Sequence, residues 1–292
     1  MTREQLVDGA RRAIRKGSKS FRAASLLFDK ETRERAWLLY WWCRHCDDAC
    51  DGQTLGFGSG PKSSMAAIRE KTLLAYAGQR IGEAPFDALG QLVHERPIPL
   101  RLIDDHLAGF ELDEQGWRPQ TEADLDRYCY HVAGAVGCMM AIVMGVADDD
   151  QETLERAADL GIAFQLSNIA RDLREDFAGG RCYVPQSWLD ELDVSHESLF
   201  ADEHLPARRE IARRLVARVA LYEQCARAGV GRLPFRSRVA VLAAARIYGA
   251  IGRAVEQRGA AAWDRRVTIG KVRKLGYLLP SIAEAAAVGR RR

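Results

Sequence analysis

The stretch YWWCRHCDDACDG, residues 40–52, decides what kind of protein this chain can be. It crowds an arginine, a histidine, cysteines and aspartates into one short run. A Cys/His reading makes it half of a zinc site, and a carboxylate reading makes it half of a magnesium site. On a helix, Tyr40, Arg44, Asp47 and Asp51 follow at steps of four, three and four and so share one face. Trp37, Leu38, Leu39, Trp41 and Trp42 surround that face with apolar side chains, so the helix is expected to be largely buried. Carboxylates one turn apart on a buried helix are costly without a counter-charge. A structural zinc site needs four ligands, and no second Cys or His cluster at ligand spacing occurs elsewhere in the sequence. Hard Mg²⁺ takes oxygen ligands, commonly one or two carboxylates plus substrate phosphates, which suits Asp47 and Asp51.

A second oxygen-rich stripe supplies what the zinc reading lacks. In QLSNIARDLRED, 165–176, the residues Gln165, Asn168, Asp172 and Asp176 follow at three, four and four, after the apolar LGIAF. Two buried helices with such stripes, facing each other, would form a cage for metal ions bridged by a diphosphate. Arg44 and Arg171, next to the aspartates, would neutralise phosphate oxygens further.

The rest of the chain reads as helices. Helical periodicity is expected over 2–16, 30–53, 62–80, 84–95, 99–114, 121–144, 150–177, 207–229, 237–259 and 268–288, with almost no strand signal. Breakers fall between these segments: DGQTLGFGSGP (51–61), RPIP (96–99), EQGWRPQ (114–120) and FAGGRCYVP (177–185). No repeat or linker divides the 292 residues, so one all-α domain over 1–292 is expected. The formal net charge of +3 does not call for a nucleic-acid partner. The opening residues have no apolar core of a secretory signal, and the 7 cysteines suit reduced cytoplasmic thiols. The longest uncharged run, VAGAVGCMMAIVMGVA (132–147), falls short of the roughly 20 residues of a spanning helix. Its small residues point to close packing inside the protein. His45 and His131 are expected in packing roles, and Cys129 and Cys138 as small apolar fillers.

The two acidic stripes, taken with GSKSF (17–21), YCYHVAGAVG (128–137) and the Arg-x-Tyr-x-Pro loop at 181–185, resemble the squalene/phytoene synthase family of head-to-head prenyltransferases. The likeness covers nearly the whole chain, and within the family it is greatest to the bacterial phytoene synthases. It implies an isoprenoid-synthase-type helical bundle around a central active-site cavity. It also implies that Asp47, Asp51, Asn168, Asp172 and Asp176 bind Mg²⁺, with Mn²⁺ as a substitute, Asp176 doing so directly or through water. Arg44, Arg171, Tyr248 and Arg265 match diphosphate contacts, joined by Ser18, Lys19 and Ser20 from the GSKSF flap. The sequence WDRRV leaves room for the last arginine to be Arg266 instead. Phe21, Tyr40, Tyr128, Val132, Ala133, Val136, Gly137 and Gln165 match the lining of the prenyl pocket. Arg174 and Glu175, more charged than is common there, are expected at the rim or outside.

The implied reaction condenses two geranylgeranyl diphosphates through a cyclopropyl (prephytoene) diphosphate to phytoene, the committed step of carotenoid biosynthesis, without NADPH. Asp47, Asp51, Asp172, Asp176, Tyr40 and Tyr128 would be its catalytic residues. Aromatic faces such as Phe21 and Tyr40 stabilise an adjacent cation by roughly 0.5–2 kcal/mol each. The proton acceptor is left open between the diphosphate and Tyr128. Such apolar substrates imply a cytoplasmic protein reversibly bound to the inner face of the cell membrane, between upstream and downstream carotenoid enzymes. Squalene or dehydrosqualene synthesis from farnesyl diphosphate is the alternative within the family. A non-catalytic Cys/His metal or redox module is the alternative outside it.

Overall fold

The computed structural model describes residues 1–52 and 63–289. The segment 53–62, Arg290–Arg292 and the side chains of Lys19, Ser20, Asp51, Ala260 and Gly289 lie outside the described residues. The chain folds as α1 (Arg3–Gly17), α2 (Lys19–Ser25), α3 (Lys30–Asp51), α4 (Met65–Tyr76), α5 (Ala84–Glu95), α6 (Leu100–Glu114) and α7 (Glu122–Cys129). A π-helical turn, Tyr130–Gly134, leads into α8 (Ala135–Val143), α9 (Gln151–Ala178), α10 (Gln186–Glu191), α11 (Leu205–Gly229), α12 (Phe235–Arg258), α13 (Lys271–Gly276) and α14 (Leu278–Gly289). No strand occurs among the described residues, so the protein is all-α.

Local chemistry sets the ends of the two acidic helices. Asp29 caps α3 by accepting from the Thr32 N–H at 2.9 Å, and Gly52, at φ +63°, takes the left-handed position that ends it. Asp150 accepts from the Thr153 N–H at the start of α9. The sequence places these two helices closely, but other segments differ. The expected helix over 121–144 is interrupted by the π-helical turn. That turn is bound to α6: His131 Nδ1 donates to the Asp105 carbonyl at 2.9 Å, and His106 Nδ1 donates to the His131 carbonyl at 3.3 Å. Gly109 lets the two backbones approach, since a Cβ there would lie 2.6 Å from Val132 Cγ1. The expected helix over 268–288 is two, α13 and α14, and the short α2 and α10 carry too few residues to show a period. The expected helix over 62–80 is confined to Met65–Tyr76.

α9 is the centre of the molecule, packed by α8, α11 and α12. The π-helical turn and α8 approach it so closely that side chains are excluded: a Cβ on Gly161 would stand 2.2 Å from the Ala133 carbonyl oxygen, and one on Gly137 would stand 2.3 Å from that of Ala157. This is the close packing that the small residues of 132–147 foretell. One apolar core gathers α1, α3 to α6 and α8; a second gathers α7, α10, α11, α12 and the C-terminal half of α9.

Candidate active site

A cavity of about 890 Å³ runs beside α9 and is lined from both cores. Its lining on α9 extends from Thr153 to Asp176, which at 1.5 Å per residue is about 35 Å. The two ends differ in chemistry. Near the C-terminus of α9 the wall carries Asp47 and Arg44 from α3, Asn168, Arg171, Asp172 and Asp176 from α9, and Arg181 and Arg266 from later segments. Toward its N-terminus, where Gly229 packs on Arg156, the wall carries Met140, Met144, Val230, Leu233 and Val241. One end is a cluster of carboxylates and guanidinium groups, and the other is mainly apolar, with Thr153 and Arg156 as polar lining residues.

Ion pairs organise the charged end. Arg44 bridges two aspartates, with Nη1 2.8 Å from Asp47 Oδ2 and Nε 3.1 Å from Asp48 Oδ1. Asp172 accepts from Arg171 Nε at 2.7 Å and from Arg171 Nη2, and from Arg266 Nε and Nη2 at 2.9 and 2.8 Å. Burial alone would raise its pKa, but hydrogen bonds from Arg171 and Arg266 outweigh it and hold the carboxyl below its ordinary value. Asp176 goes the other way. Burial pushes it up to about 7, and Asp172, Glu175 and Asp113 add to the rise against the opposing charge of Arg181.

Aromatic side chains line the next part of the cavity. Phe21 and Tyr40 meet at 5.7 Å between ring centroids, and Phe164 stacks on Tyr248 at 4.0 Å. Burial pushes the Tyr40 phenol up to about 12, and its Oη is buried with no hydrogen-bond partner among the described residues. Asp113 accepts from Tyr128 Oη and Tyr183 Oη, each at 2.9 Å. The two tyrosine rings stack at 4.7 Å, and Trp117 stacks on Tyr128 at 5.6 Å. Burial, then the charge of Asp113, raises both phenols well above the ordinary tyrosine value.

Residue by residue, the cavity collects most of the candidate site. Ser18, Phe21, Tyr40, Arg44, Asp47, Tyr128, Val132, Ala133 and Val136 line it. So do Gly137, Gln165, Asn168, Arg171, Asp172, Asp176 and Tyr248. The side chains of Lys19, Ser20 and Asp51 lie outside the described residues. Of the two arginines of WDRRV, both exposed, Arg266 lines the cavity and grips Asp172, whereas Arg265 does not line it and meets Arg258 through its backbone carbonyl. Arg174 lies over the Phe200 ring and Glu175 stands exposed at the rim. The cysteines of the opening stretch diverge. Cys43 lines the cavity, Cys46 is buried in the first core, and Cys50 Sγ meets Met65 Sδ at 3.0 Å. Burial holds the Cys43 and Cys46 thiols above their ordinary pKa. His45 packs edge-on against Phe86.

Residues 14–273 match the squalene/phytoene synthase family model. The chain belongs to the squalene/phytoene synthase family. It is 43% identical to a 15-cis-phytoene synthase of Pantoea ananas over 98% of this chain and 94% of that one. It is 33% identical to the chloroplastic phytoene synthase 1 of Arabidopsis thaliana over 89% of this chain and 62% of that one. Among solved structures, a dehydrosqualene synthase in complex with ligand superposes with a TM-score of 0.85 at 24% identity, covering 98% of each chain. A squalene synthase from Alicyclobacillus acidocaldarius superposes with 0.77 at 23% identity, over 88% of this chain and 95% of that one. At those identities the likeness is one of fold.

Against the family motifs, the structure adds side chains that sequence reasoning did not assign. Arg181 and Tyr183, from the Arg-x-Tyr-x-Pro loop, both line the cavity. Phe164 precedes the α9 stripe by one residue and looks like plain core. Asp113 closes an amphipathic helix and looks like a solvated end. Its distant partners, Tyr128 and Tyr183, show otherwise.

Proposed function

We propose that this family member condenses two geranylgeranyl diphosphates head to head to phytoene. The observation that carries the reading is the cavity's change of character along α9: a cationic and acidic end for the diphosphates, and a long apolar end for the prenyl chains. Identity of 39–43% to proteins named phytoene synthase in four bacterial sources supports this product over squalene. The reaction needs no NADPH, since the final cation loses a proton to form the central double bond instead of accepting a hydride.

The donors at the charged end are Asp47, Asn168, Asp172 and Asp176, all oxygen and so suited to a hard cation. Among the described residues no three acidic, imidazole or thiol groups lie close enough to hold an ion by themselves. These side chains, with Asp51 on the same helix as Asp47, would hold Mg²⁺ or Mn²⁺. When bound, the ion supplies Lewis-acid charge to the departing diphosphate. Arg44, Arg171, Arg181 and Arg266 present guanidinium groups to diphosphate oxygens, and Ser18 lines the same cavity. Phe21 and Tyr40 present ring faces to the allylic cation left behind. Val132, Ala133, Val136 and Gly137 keep the prenyl chains dry, which protects the cations from water. The Tyr128 phenol donates a hydrogen bond to Asp113, so it is held as a donor. That leaves the released diphosphate as the better proton acceptor. Apolar substrate and product call for reversible association with a membrane surface, close to the enzymes that supply and consume them. Among the described residues no helix is long and apolar enough to cross a membrane.

The test is direct. Purified protein is given geranylgeranyl or farnesyl diphosphate with Mg²⁺, with and without NADPH, and the hydrocarbons are extracted. Phytoene from geranylgeranyl diphosphate without NADPH is expected. A product made only from farnesyl diphosphate would overturn the reading.

A further inference from the structure

We propose that the outer face of α13 and α14 is the surface by which this protein docks on anionic membranes. The inference rests on the reading above, in which substrate and product are lipids. Its evidence is a stripe of exposed large apolar side chains: Val272, Leu275, Leu279 and Ile282 are 85%, 64%, 76% and 43% exposed. They follow at steps of three, four and three, one face of a helical path. Four such residues in one stripe differ from the scattered apolar residues normal on a surface.

The opposite face of α14 is fixed inward. Ser281 and Ala285 are buried, and Glu284 pairs with Arg227 and Arg246. Arg246 Nη1 also donates to Ser281 Oγ at 3.1 Å, and Arg238 Nη1 to the Ala285 carbonyl at 3.1 Å. These contacts lock the helix to α12 in the one rotation that leaves Leu279 and Ile282 outside.

Charge selects the partner. The stretch KVRKLGYLLPSIA, 271–283, holds Lys271, Arg273 and Lys274 and no carboxylate. A second copy meeting this face by a two-fold axis would bring those cations together, whereas an anionic lipid surface complements them. Apolar side chains flanked by Lys and Arg on a surface-lying helix are the pattern of interfacial binding. Position agrees. Ala285 on the inner side belongs to the same apolar cluster as Val230 and Val241, and both valines line the apolar end of the cavity. The docking face therefore covers the end where the prenyl chains lie.

The experiment is flotation with vesicles of phosphatidylglycerol and phosphatidylcholine, compared with phosphatidylcholine alone, at low salt. Wild type should partition to the anionic vesicles. Leu275→Glu with Leu279→Glu should lower that partitioning at least about tenfold, with turnover of detergent-dispersed geranylgeranyl diphosphate unchanged, since neither leucine lines the cavity. Lys271→Glu with Arg273→Glu should also lower it, and decides the matter if the leucine variant does not fold. Equal partitioning of both variants and wild type would overturn the docking face. So would absence of wild-type binding, or a wild-type dimer in sedimentation that becomes a monomer in the leucine variant. The detergent assay of wild type separates the two readings: binding without phytoene formation leaves the surface standing and removes the catalytic assignment.

Discussion

Arg266 and Arg265 give the sharpest test of the site, because they are neighbours in sequence and differ in placement. Arg266 makes two parallel hydrogen bonds, at 2.9 and 2.8 Å, to the Asp172 carboxylate, whose side chain is 17% exposed. A charge-assisted hydrogen bond is worth about 1.5–3 kcal/mol when shielded, and an exposed ion pair about 0.2–1 kcal/mol. The Arg266 side chain is 55% exposed, so its loss falls between those limits, at about 1–2 kcal/mol. That is about a five- to thirtyfold loss in rate for Arg266→Ala, measured as steady-state phytoene formation at saturating Mg²⁺. Arg266→Lys keeps the charge but not the paired geometry and should recover only part of it. Arg265→Ala should stay within about twofold of wild type, since an exposed substitution away from the site is worth at most about 0.5 kcal/mol. If the proposed cyclopropyl diphosphate depends more on this contact for its ionisation, it will accumulate in quenched Arg266→Ala reactions. Equal losses in both alanine variants, or full activity in Arg266→Ala, would refute the placement.

Asp47→Ala should abolish turnover with helical content unchanged, checked by product assay and circular dichroism; wild-type turnover would exclude a role for this carboxylate. Asp113→Asn should weaken the hydrogen bonds to Tyr128 and Tyr183 and lower both kcat and melting temperature, while an effect on KM alone would argue against the network. Gly161→Ala should lower the melting temperature, by about 2–4 °C for each kcal/mol lost, because the obstruction is backbone and overpacking of about 1–3 kcal/mol or more exceeds the gain in helix propensity. Gly252→Ala, whose Cβ would meet its nearest neighbour at 3.5 Å, should be neutral or stabilising, and the pair is compared by thermal melts. His106 should make folding acid-sensitive. Burial lowers it from 6.5 to about 4, so its stabilising effect is complete above pH 6.5 and up to about 3 kcal/mol of it is lost as pH falls toward 4. Urea titrations of His106→Gln and wild type at several pH values should therefore converge on acidification, and parallel curves would contradict this.

What the sequence disclosed is the part in which chemistry and period coincide. Asp47, Asn168, Asp172 and Asp176 each carry a side-chain oxygen at helical spacing inside an apolar segment, and all four line the cavity, so a short reading frame suffices. Helix ends were legible where a cap marks them, as at Asp29, Asp150 and Gly52. The choice between Arg265 and Arg266 was not, because the segment between α12 and α13 is not a long helix and no period orients it. Asp113 was illegible for another reason: its partners lie 15 and 70 positions away and neither contact leaves a local trace. The π-helical turn depends on the α6 backbone carbonyl at Asp105, which no property of YHVAG announces.

The two acidic helices share a direction that the proposed chemistry has to accommodate. Asp172 and Asp176 stand in the last turns of α9, which ends at Ala178, and Asp47 stands in the last turns of α3, which ends at Asp51. The C-terminal end of a helix carries the negative part of its dipole. Both helices therefore add negative potential at the charged end of the cavity, which their carboxylates line, opposite to the helix N-terminus that many phosphate sites use. A diphosphate cannot be held there by backbone amides. It must be held by cations, and the wall supplies Arg44, Arg171, Arg181 and Arg266. Two of these are already committed to Asp172, and Arg44 to Asp47 and Asp48, so the arginines alone neutralise the protein before they can neutralise substrate. On this reasoning the oxygen donors of α3 and α9 bind substrate only together with added divalent charge, and diphosphate affinity should depend far more on that charge than on any single arginine.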